Sequence, residues 1–220
     1  MNDNSTHDVR LPLFQPKPSK KYRTLVADPP WRYDAPAYGY GADANYPTMT
    51  VAELINMPVG LWAADLAHLY LWTTNSFLVD AFQIAKVWGF DPKTIITWIK
   101  RRPVDDRWQG MGHYFRGTTE HIIFATRGNM NTLRNDQVNF MESAVNAEEG
   151  LAFFAPRGAH SEKPAAFYDM VARMSPGPYL DIFARKQRFL LNDQSVVMDT
   201  WGDEAFTPAG LPTPAELAGS

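Results

Sequence analysis

No cysteine occurs in the 220 residues. Disulfides, cysteine-ligated zinc, iron–sulfur clusters and thiolate nucleophiles are therefore excluded as a basis for structure or chemistry. No run of about 18 apolar residues occurs either, and the N-terminal MNDNSTHDVR has no apolar core of signal-peptide length. Neither membrane spanning nor secretion is expected, which leaves a soluble intracellular protein. A basic excess is also missing: 21 Lys and Arg stand against 24 Asp and Glu, for a formal net charge of -3. That balance argues against a general nucleic-acid coat and leaves room for a local patch. The five histidines are scattered without metal-ligand spacing, so no metal site is expected. What the chain does have is 45% hydrophobic residues. At this length that is enough for one sizeable domain burying roughly 70% of its unfolded surface.

Residues 1–20 are polar and carry Pro12, Pro16 and Pro18, and residues 206–220 are similar in composition. These read as a flexible N-terminal arm and C-terminal tail around a domain at 21–205. Within it, runs rich in β-branched and aromatic residues alternate with helical patterns. RTLVAD precedes a helix from Thr50 to Met57, where Thr50 caps and Glu53 completes a capping box. AHLYLWTT precedes a helix from Ser76 to Trp88, followed by KTIITWIK and EHIIFATRG. GLAFFAPR precedes a helix from about Glu162 to Met174, and GPYLDIFAR follows the break at Pro176, Gly177 and Pro178. This alternation predicts an α/β fold with a doubly wound, mostly parallel sheet, whose ligands gather at the carboxyl ends of the strands. Two stretches lack a clear period, Arg101 to Thr118 and Asn129 to Gly150, and are expected to be functional loops.

Charge is unevenly spread. Residues 86–134 hold nine basic and four acidic side chains, including Lys100, Arg101, Arg102, Arg107 and Arg116, interleaved with Trp98, Trp108, Tyr114 and Phe115. Cations for phosphates and rings for bases suit a nucleic acid. A solvated arginine-rich loop with anchoring aromatics is the other reading.

The stretch LVADPPW puts Asp28 at the carboxyl tip of a strand. Pro29 and Pro30 have no amide hydrogen and a restricted φ, so the carbonyls around them are expected to form a rigid row of acceptors. A carboxylate plus a backbone carbonyl suits a two-hydrogen amine, and Trp31 offers a flat face for a heteroaromatic ring. A nucleobase exocyclic amine meets both requirements. A proline turn with a structural aspartate and a core tryptophan stands as the alternative.

LVADPPW resembles the motif of S-adenosylmethionine-dependent amino methyltransferases, which act on exocyclic amines of nucleobases. More specifically, residues 23–204 resemble the N(6)-adenine methyltransferases related to the catalytic subunit of the human mRNA adenosine methyltransferase, a family with many bacterial and phage members. The likeness is carried, in order, by Asp28–Trp31, by NYPTMT with Tyr46, by GMGHYFRGTTEHIIFATRG, by HSEKPAAFYDMVARMSP, and by LDIFAR and WGDE. The order, with the catalytic tetrapeptide first and LDIFAR near the end, is that of the circularly permuted, β-type Rossmann-like methyltransferase fold.

The resemblance implies transfer of a methyl group from S-adenosylmethionine to the N(6) amine of adenine, leaving S-adenosylhomocysteine. It implies catalytic roles for Asp28, Pro29, Pro30 and Trp31. Cofactor contacts fall to Asp28, Lys163, Asp181, Phe183, Arg185, Asp203 and Glu204; Lys163 faces the methionine carboxylate, and Asp181 and Arg185 the ribose. Contacts with the substrate base fall to Trp31 and Tyr46, and Arg101, Arg102 and Arg116 of the basic middle, together with His160, are the further expected substrate contacts. Read without the family, Lys163 is a solvated charge opening a helix, and Asp181 a strand-end acid paired with Arg185. FAR stands where many methyltransferases have Phe-x-Gly, WGDE has aspartate where relatives often have asparagine, and KQR at 186–188 does not reproduce the human enzyme's ribose-contacting pair. A bacterial or phage enzyme acting on DNA in the cytoplasm is expected, with RNA as the nearest rival substrate and a non-catalytic nucleic-acid-binding homologue as a third reading. A homodimer or a homologous partner subunit is compatible with the family. Carbon-5 methylation of cytosine is not, because it normally needs the cysteine this chain lacks.

Overall fold

A computed structural model describes residues 20–33, 48–101, 114–135, 152–156, 163–184, 188–190 and 196–202. The expected arm and tail lie outside these residues. Among the described residues eight strands form one sheet: β1 (Tyr22–Ala27), β2 (Ala63–Thr73), β3 (Asp91–Arg101), β4 (Thr119–Arg127), β5 (Ala152–Pro156), β6 (Tyr179–Ile182), β7 (Arg188–Leu190) and β8 (Val196–Trp201). Their order is β5-β3-β4-β2-β1-β6-β8-β7. β1 pairs in parallel with β2 and β6, β3 with β5, and β6 with β8. β4 runs antiparallel between β2 and β3, and β7 antiparallel to β8.

Every strand expected from the sequence is present, and β1 is buried on both faces because it lies at the centre. The pair β7 and β8 was not anticipated, although VVMDTW preceded by LNDQS carries the composition of a strand after a turn. The reversal of β4 was not anticipated either. Its sequence signal is the missing helical period in 101–118: an antiparallel neighbour needs no crossover helix, whereas a parallel one does.

Helices α1 (Val51–Asn56), α2 (Val59–Trp62) and α3 (Leu78–Val87) and helix α4 (Ala165–Met174) match the expected helices with shifted ends, α2 being an addition. The stretch Asn75–Phe77 is a 3-10 turn rather than the start of α3. After α3, Gly89 takes a φ of 85°, the left-handed conformation that glycine adopts without a Cβ clash.

Alternate residues along the strands face opposite layers. Leu25, Leu69, Leu71 and Ile123 pack with Leu54 of α1 and Ile84 of α3, whereas Val26, Tyr70, Trp72 and Ile122 pack with Phe167 and Val171 of α4. The Phe167 ring meets Trp72 edge-on at 4.8 Å. Burial of such a side chain contributes about 1.5–3 kcal/mol, so this contact anchors α4 directly beneath the segment that precedes it, Lys163–Pro164.

Two polar features hold the rest. Arg127, one of the cations of the basic middle, donates to the carbonyls of Gly60 at 2.6 Å, Trp88 at 3.1 Å and Gly89 at 3.2 Å. It ties α2 and the end of α3 to β4 and is structural. His68 is fully buried, with Nδ1 2.7 Å from Ser175 Oγ and Nε2 3.1 Å from the Met130 carbonyl. Tyr70 OH lies 2.7 Å from the same Ser175 Oγ. One neutral proton arrangement satisfies all three: Tyr70 donates to Ser175, Ser175 to His68, and His68 Nε2–H to Met130. Burial lowers the His68 pKa in accord with that neutral form.

Candidate active site

Six strands, β1, β2, β3, β5, β6 and β8, finish at one end of the sheet, and the reversed β4 begins there. Asp28 stands at that end, one residue beyond β1. Its N–H still donates to the Ile182 carbonyl of β6 at 3.3 Å, and then Pro29 and Pro30 stop the ladder for want of amide hydrogens. The chain turns at once. Trp31 N–H donates to the Pro29 carbonyl at 2.9 Å, and Met49 N–H donates to the Pro30 carbonyl at 2.7 Å.

The expected row of free acceptors is therefore corrected in part. Pro30 is engaged by Met49 through the single bridge that joins Trp31 to Met49. Pro29 accepts from Trp31 in a three-residue turn, and a carbonyl oxygen has a second lone pair for another donor.

Of the two readings open for Trp31, the geometry is that of a core tryptophan. Its side chain is 6% exposed, stacked on Phe77 with ring centres 4.8 Å apart and planes 14° apart, and its Nε1–H donates to the Trp72 carbonyl at 3.3 Å. Tyr33 adds an edge contact to Phe77 at 4.8 Å, with its hydroxyl 2.7 Å from Thr74 Oγ1. The Asp-Pro-Pro-Trp turn is thus latched onto the end of β2 and the 3-10 turn after it, a role for Phe77 and Thr74 that the sequence did not single out.

Lys163 supplies the charge at this site. It stands just before Pro164, the N-terminal cap of α4, and is only 7% exposed. Its ammonium lies 2.8 Å from Asp28 Oδ2, 3.3 Å from Glu120 Oε2 and 5.0 Å from the centre of the Trp72 ring. Burial alone would lower the Lys163 pKa. Asp28 first, and then Glu120, more than reverse that effect and hold it above the ordinary lysine value of 10.5. The ammonium therefore stays charged at neutral pH, and it favours the ionised form of both carboxylates. Counted at their formal charges, the two carboxylates and the ammonium sum to one net negative charge.

Glu120 belongs to the site only because β4 is reversed. It is the second residue of β4, paired with Trp98 of β3, and the reversal delivers it to the end where β1 finishes. Its neighbour His121 bonds through Nδ1 to Thr97 Oγ1 at 3.0 Å and through Nε2 to Asn75 Oδ1 at 2.7 Å, with its pKa lowered by burial.

On the other side of β1, Asp181 is buried within β6, and Tyr168 OH of α4 donates to its Oδ2 at 3.3 Å. Phe183 follows at the strand tip with a φ of 69°, a conformation uncommon for a residue with a Cβ, and its N–H donates to the Trp201 carbonyl at 2.6 Å. Ala184 N–H shares that acceptor at 3.1 Å. A Cβ at Gly202 would run into the Ala184 backbone, so only glycine lets the end of β8 approach this turn. Phe183 and Ala184 of LDIFAR and Trp201 and Gly202 of WGDE are in this way joined at the same end of the sheet as Asp28.

Of the expected site residues, the structure brings Asp28, Pro29, Pro30, Trp31, Lys163, Asp181 and Phe183 to this end, and places Arg116 on an exposed segment leading into β4. The backbone of Arg101 ends β3 there. Tyr46, Arg102, His160, Arg185, Asp203 and Glu204 lie outside the described residues. Among the described residues, no group of His, Asp and Glu has the arrangement of a metal site, and no helix is long and apolar enough to cross a membrane.

Comparison with known proteins matches residues 22–204 to the family model MT-A70. The chain is 29% identical to the type II methyltransferase M.MunI of a Mycoplasma species, over 87% of this chain and 81% of that protein. It is 28% identical to a putative N(6)-adenosine-methyltransferase MT-A70-like protein of Medicago truncatula and 25% identical to the N(6)-adenosine-methyltransferase catalytic subunit METTL3 of Homo sapiens. Those two matches cover 75% of this chain and 24% and 26% of the relatives, so the chain spans about a quarter of their length.

Proposed function

The chain belongs to the MT-A70 family of methyltransferases, and on that premise we propose that it methylates the exocyclic N(6) amine of adenine in DNA, with S-adenosylmethionine as donor. The observation that carries this reading is the ion pair of Lys163 with Asp28 at the tip of the central strand.

The residues present fit the donor. One net negative charge on Asp28, Glu120 and Lys163 complements a sulfonium, and the ammonium of Lys163 suits a carboxylate. Asp181, beneath the joined tips of β6 and β8, gives this end of the sheet a buried acceptor for hydroxyls. When bound, the donor supplies a methyl group activated by positive sulfur.

The chain's own task is to position and polarise the amine. In the transfer the N(6) nitrogen would gain the methyl group as the sulfur–methyl bond breaks to leave a neutral thioether, and would then release one proton to water; its lone pair must first be drawn out of conjugation with the ring. Asp28, kept ionised by Lys163, accepts one amine hydrogen, and the second lone pair of the Pro29 carbonyl accepts the other. Both acceptors stabilise the positive charge that builds on nitrogen during attack. Because the turn is held by Trp31, Phe77 and Met49, these acceptors need no reorganisation.

DNA is favoured over RNA by the reach of the similarity. It takes in 87% of this chain at 29% identity for the type II methyltransferase, and 75% of this chain at 28% and 25% identity for the adenosine methyltransferases. The test is radiolabelled methyl transfer to single-stranded DNA, duplex DNA and RNA of mixed sequence, followed by nucleoside analysis. Wild type is expected to form N(6)-methyladenine in DNA, and Asp28→Ala to lower the rate at least about 100-fold, the scale of losing one preorganised acceptor. Label confined to RNA would overturn the polymer assignment. Equal rates for wild type and Asp28→Ala would overturn the mechanism.

A further inference from the structure

Phe115 and Tyr114 are 91% and 90% exposed, the only aromatic side chains more than half exposed among those whose burial is described. Isolated exposed apolar residues are ordinary, but a phenyl ring with nearly all its area in water, next to a second exposed ring, suits a stacking partner. Arg116, also exposed, follows them directly. The three residues precede Thr119 and Glu120, which open β4 at the end of the sheet that holds Asp28, and Glu120 itself contacts Lys163.

From Phe115 to Glu120 the chain can span at most about 18 Å. That is roughly five base steps along one strand of a duplex. The rings thus stand within a short nucleic-acid segment's reach of the reacting amine, and the guanidinium beside them matches a phosphate.

We propose that Phe115, backed by Tyr114 and Arg116, is a stacking site for a nucleobase flanking the adenine that enters the active site. The proposal rests on the methyltransferase reading for its choice of a nucleic acid over a protein surface. A base has an apolar π-face of the size of a phenyl ring, so stacking there is tolerant of sequence and contributes affinity more than specificity. It also braces the strand from which the target base is withdrawn, where unstacking must be compensated.

The experiment measures binding separately from methyl transfer. Short single-stranded and duplex DNA and RNA of mixed sequence, with 2-aminopurine beside an adenine, are titrated with wild type, Phe115→Ala and Phe115→Trp. Calorimetric binding of S-adenosylmethionine serves as a control of folding. Phe115→Ala is expected to weaken oligonucleotide binding between about 5- and 150-fold and to abolish 2-aminopurine quenching, while Phe115→Trp retains both. Cofactor affinity is expected to be the same in all three. The proposal is overturned if Phe115→Ala keeps wild-type affinity and quenching, or if wild type binds no oligonucleotide. It is equally overturned if Phe115→Ala leaves oligonucleotide binding intact but dissociates a dimer in sedimentation, which would make the rings a protein contact. Failure of methyl transfer with binding and quenching still dependent on Phe115 would sink the reaction and keep the stacking site.

Discussion

Lys163 carries the local electrostatics because it answers two carboxylates with one charge, in a place where water does not help. Its pKa is raised, so the stability the pair contributes is fully present below the ordinary lysine value of 10.5 and is lost only as pH rises through the higher folded value. Around neutral pH, in consequence, Lys163 adds no pH dependence to stability or rate. Replacing it changes that. Lys163→Met leaves Asp28 and Glu120 facing each other in a partly buried site, which raises the pKa of one of them. We expect a loss of about 3 kcal/mol in folding stability, the scale of removing one partner of a buried pair. We also expect methyl transfer to be depressed at neutral pH and partly regained as pH rises and Asp28 ionises. A kcat/KM profile with its acid limb unmoved from wild type would show that Lys163 does not set the charge of Asp28.

At the scale of elements, α1 is short, and its start is held by a capping box. Thr50 Oγ1 accepts from Glu53 N–H at 3.2 Å, and Glu53 Oε2 accepts from Thr50 N–H at 2.7 Å. The backbone hydrogen bond from Thr50, then the one from its hydroxyl, hold the Glu53 carboxyl below its ordinary value. One residue before the cap, Met49 donates to the Pro30 carbonyl, so the box also sets one wall of the Asp-Pro-Pro-Trp turn. Thr50→Ala is expected to cost about 1 kcal/mol in urea unfolding, whereas Thr50→Ser, which keeps the capping hydroxyl, is expected to leave stability unchanged. Equal losses for both substitutions would mean that the hydroxyl is not the source of the stability. The capping box was legible in Thr50 and Glu53 because it depends on neighbours three residues apart. The start of α3 was not legible. Nothing in Asn75, Ser76 and Phe77 announces a 3-10 turn, and Phe77 is fixed there by its stacking on Trp31, a residue from a distant part of the chain.

For the whole molecule, the direction of each strand decides which side chains meet. β3 runs with β1 and ends at Arg101, so the backbone of Lys100 and Arg101 lies at the same end as Asp28. Arg127, counted with them in sequence, sits on the helix ends instead. Arg101→Ala combined with Arg102→Ala is expected to weaken nucleic-acid binding about uniformly across sequences. It should also lower the log–log salt slope by about 1 for each phosphate that the two guanidiniums neutralise. A slope equal to that of wild type would remove both arginines from the interface, and an Arg127→Ala variant is expected to lose stability rather than salt dependence.

The role of Lys163, which locally read as a solvated charge, came from the family resemblance; legible in the chain itself were the α/β class, the order of its principal strands and helices, and the acceptors of the Asp28 turn. Those are set by period, turn residues and side-chain type, which act over a few positions. The tertiary structure alone decided that β4 is reversed and so brings Glu120 to Lys163, that Trp31 is buried against Phe77, and that Phe115 faces water. A strand reads the same in either direction, and an aromatic ring the same whether packed or exposed; only pairing between distant segments distinguishes them.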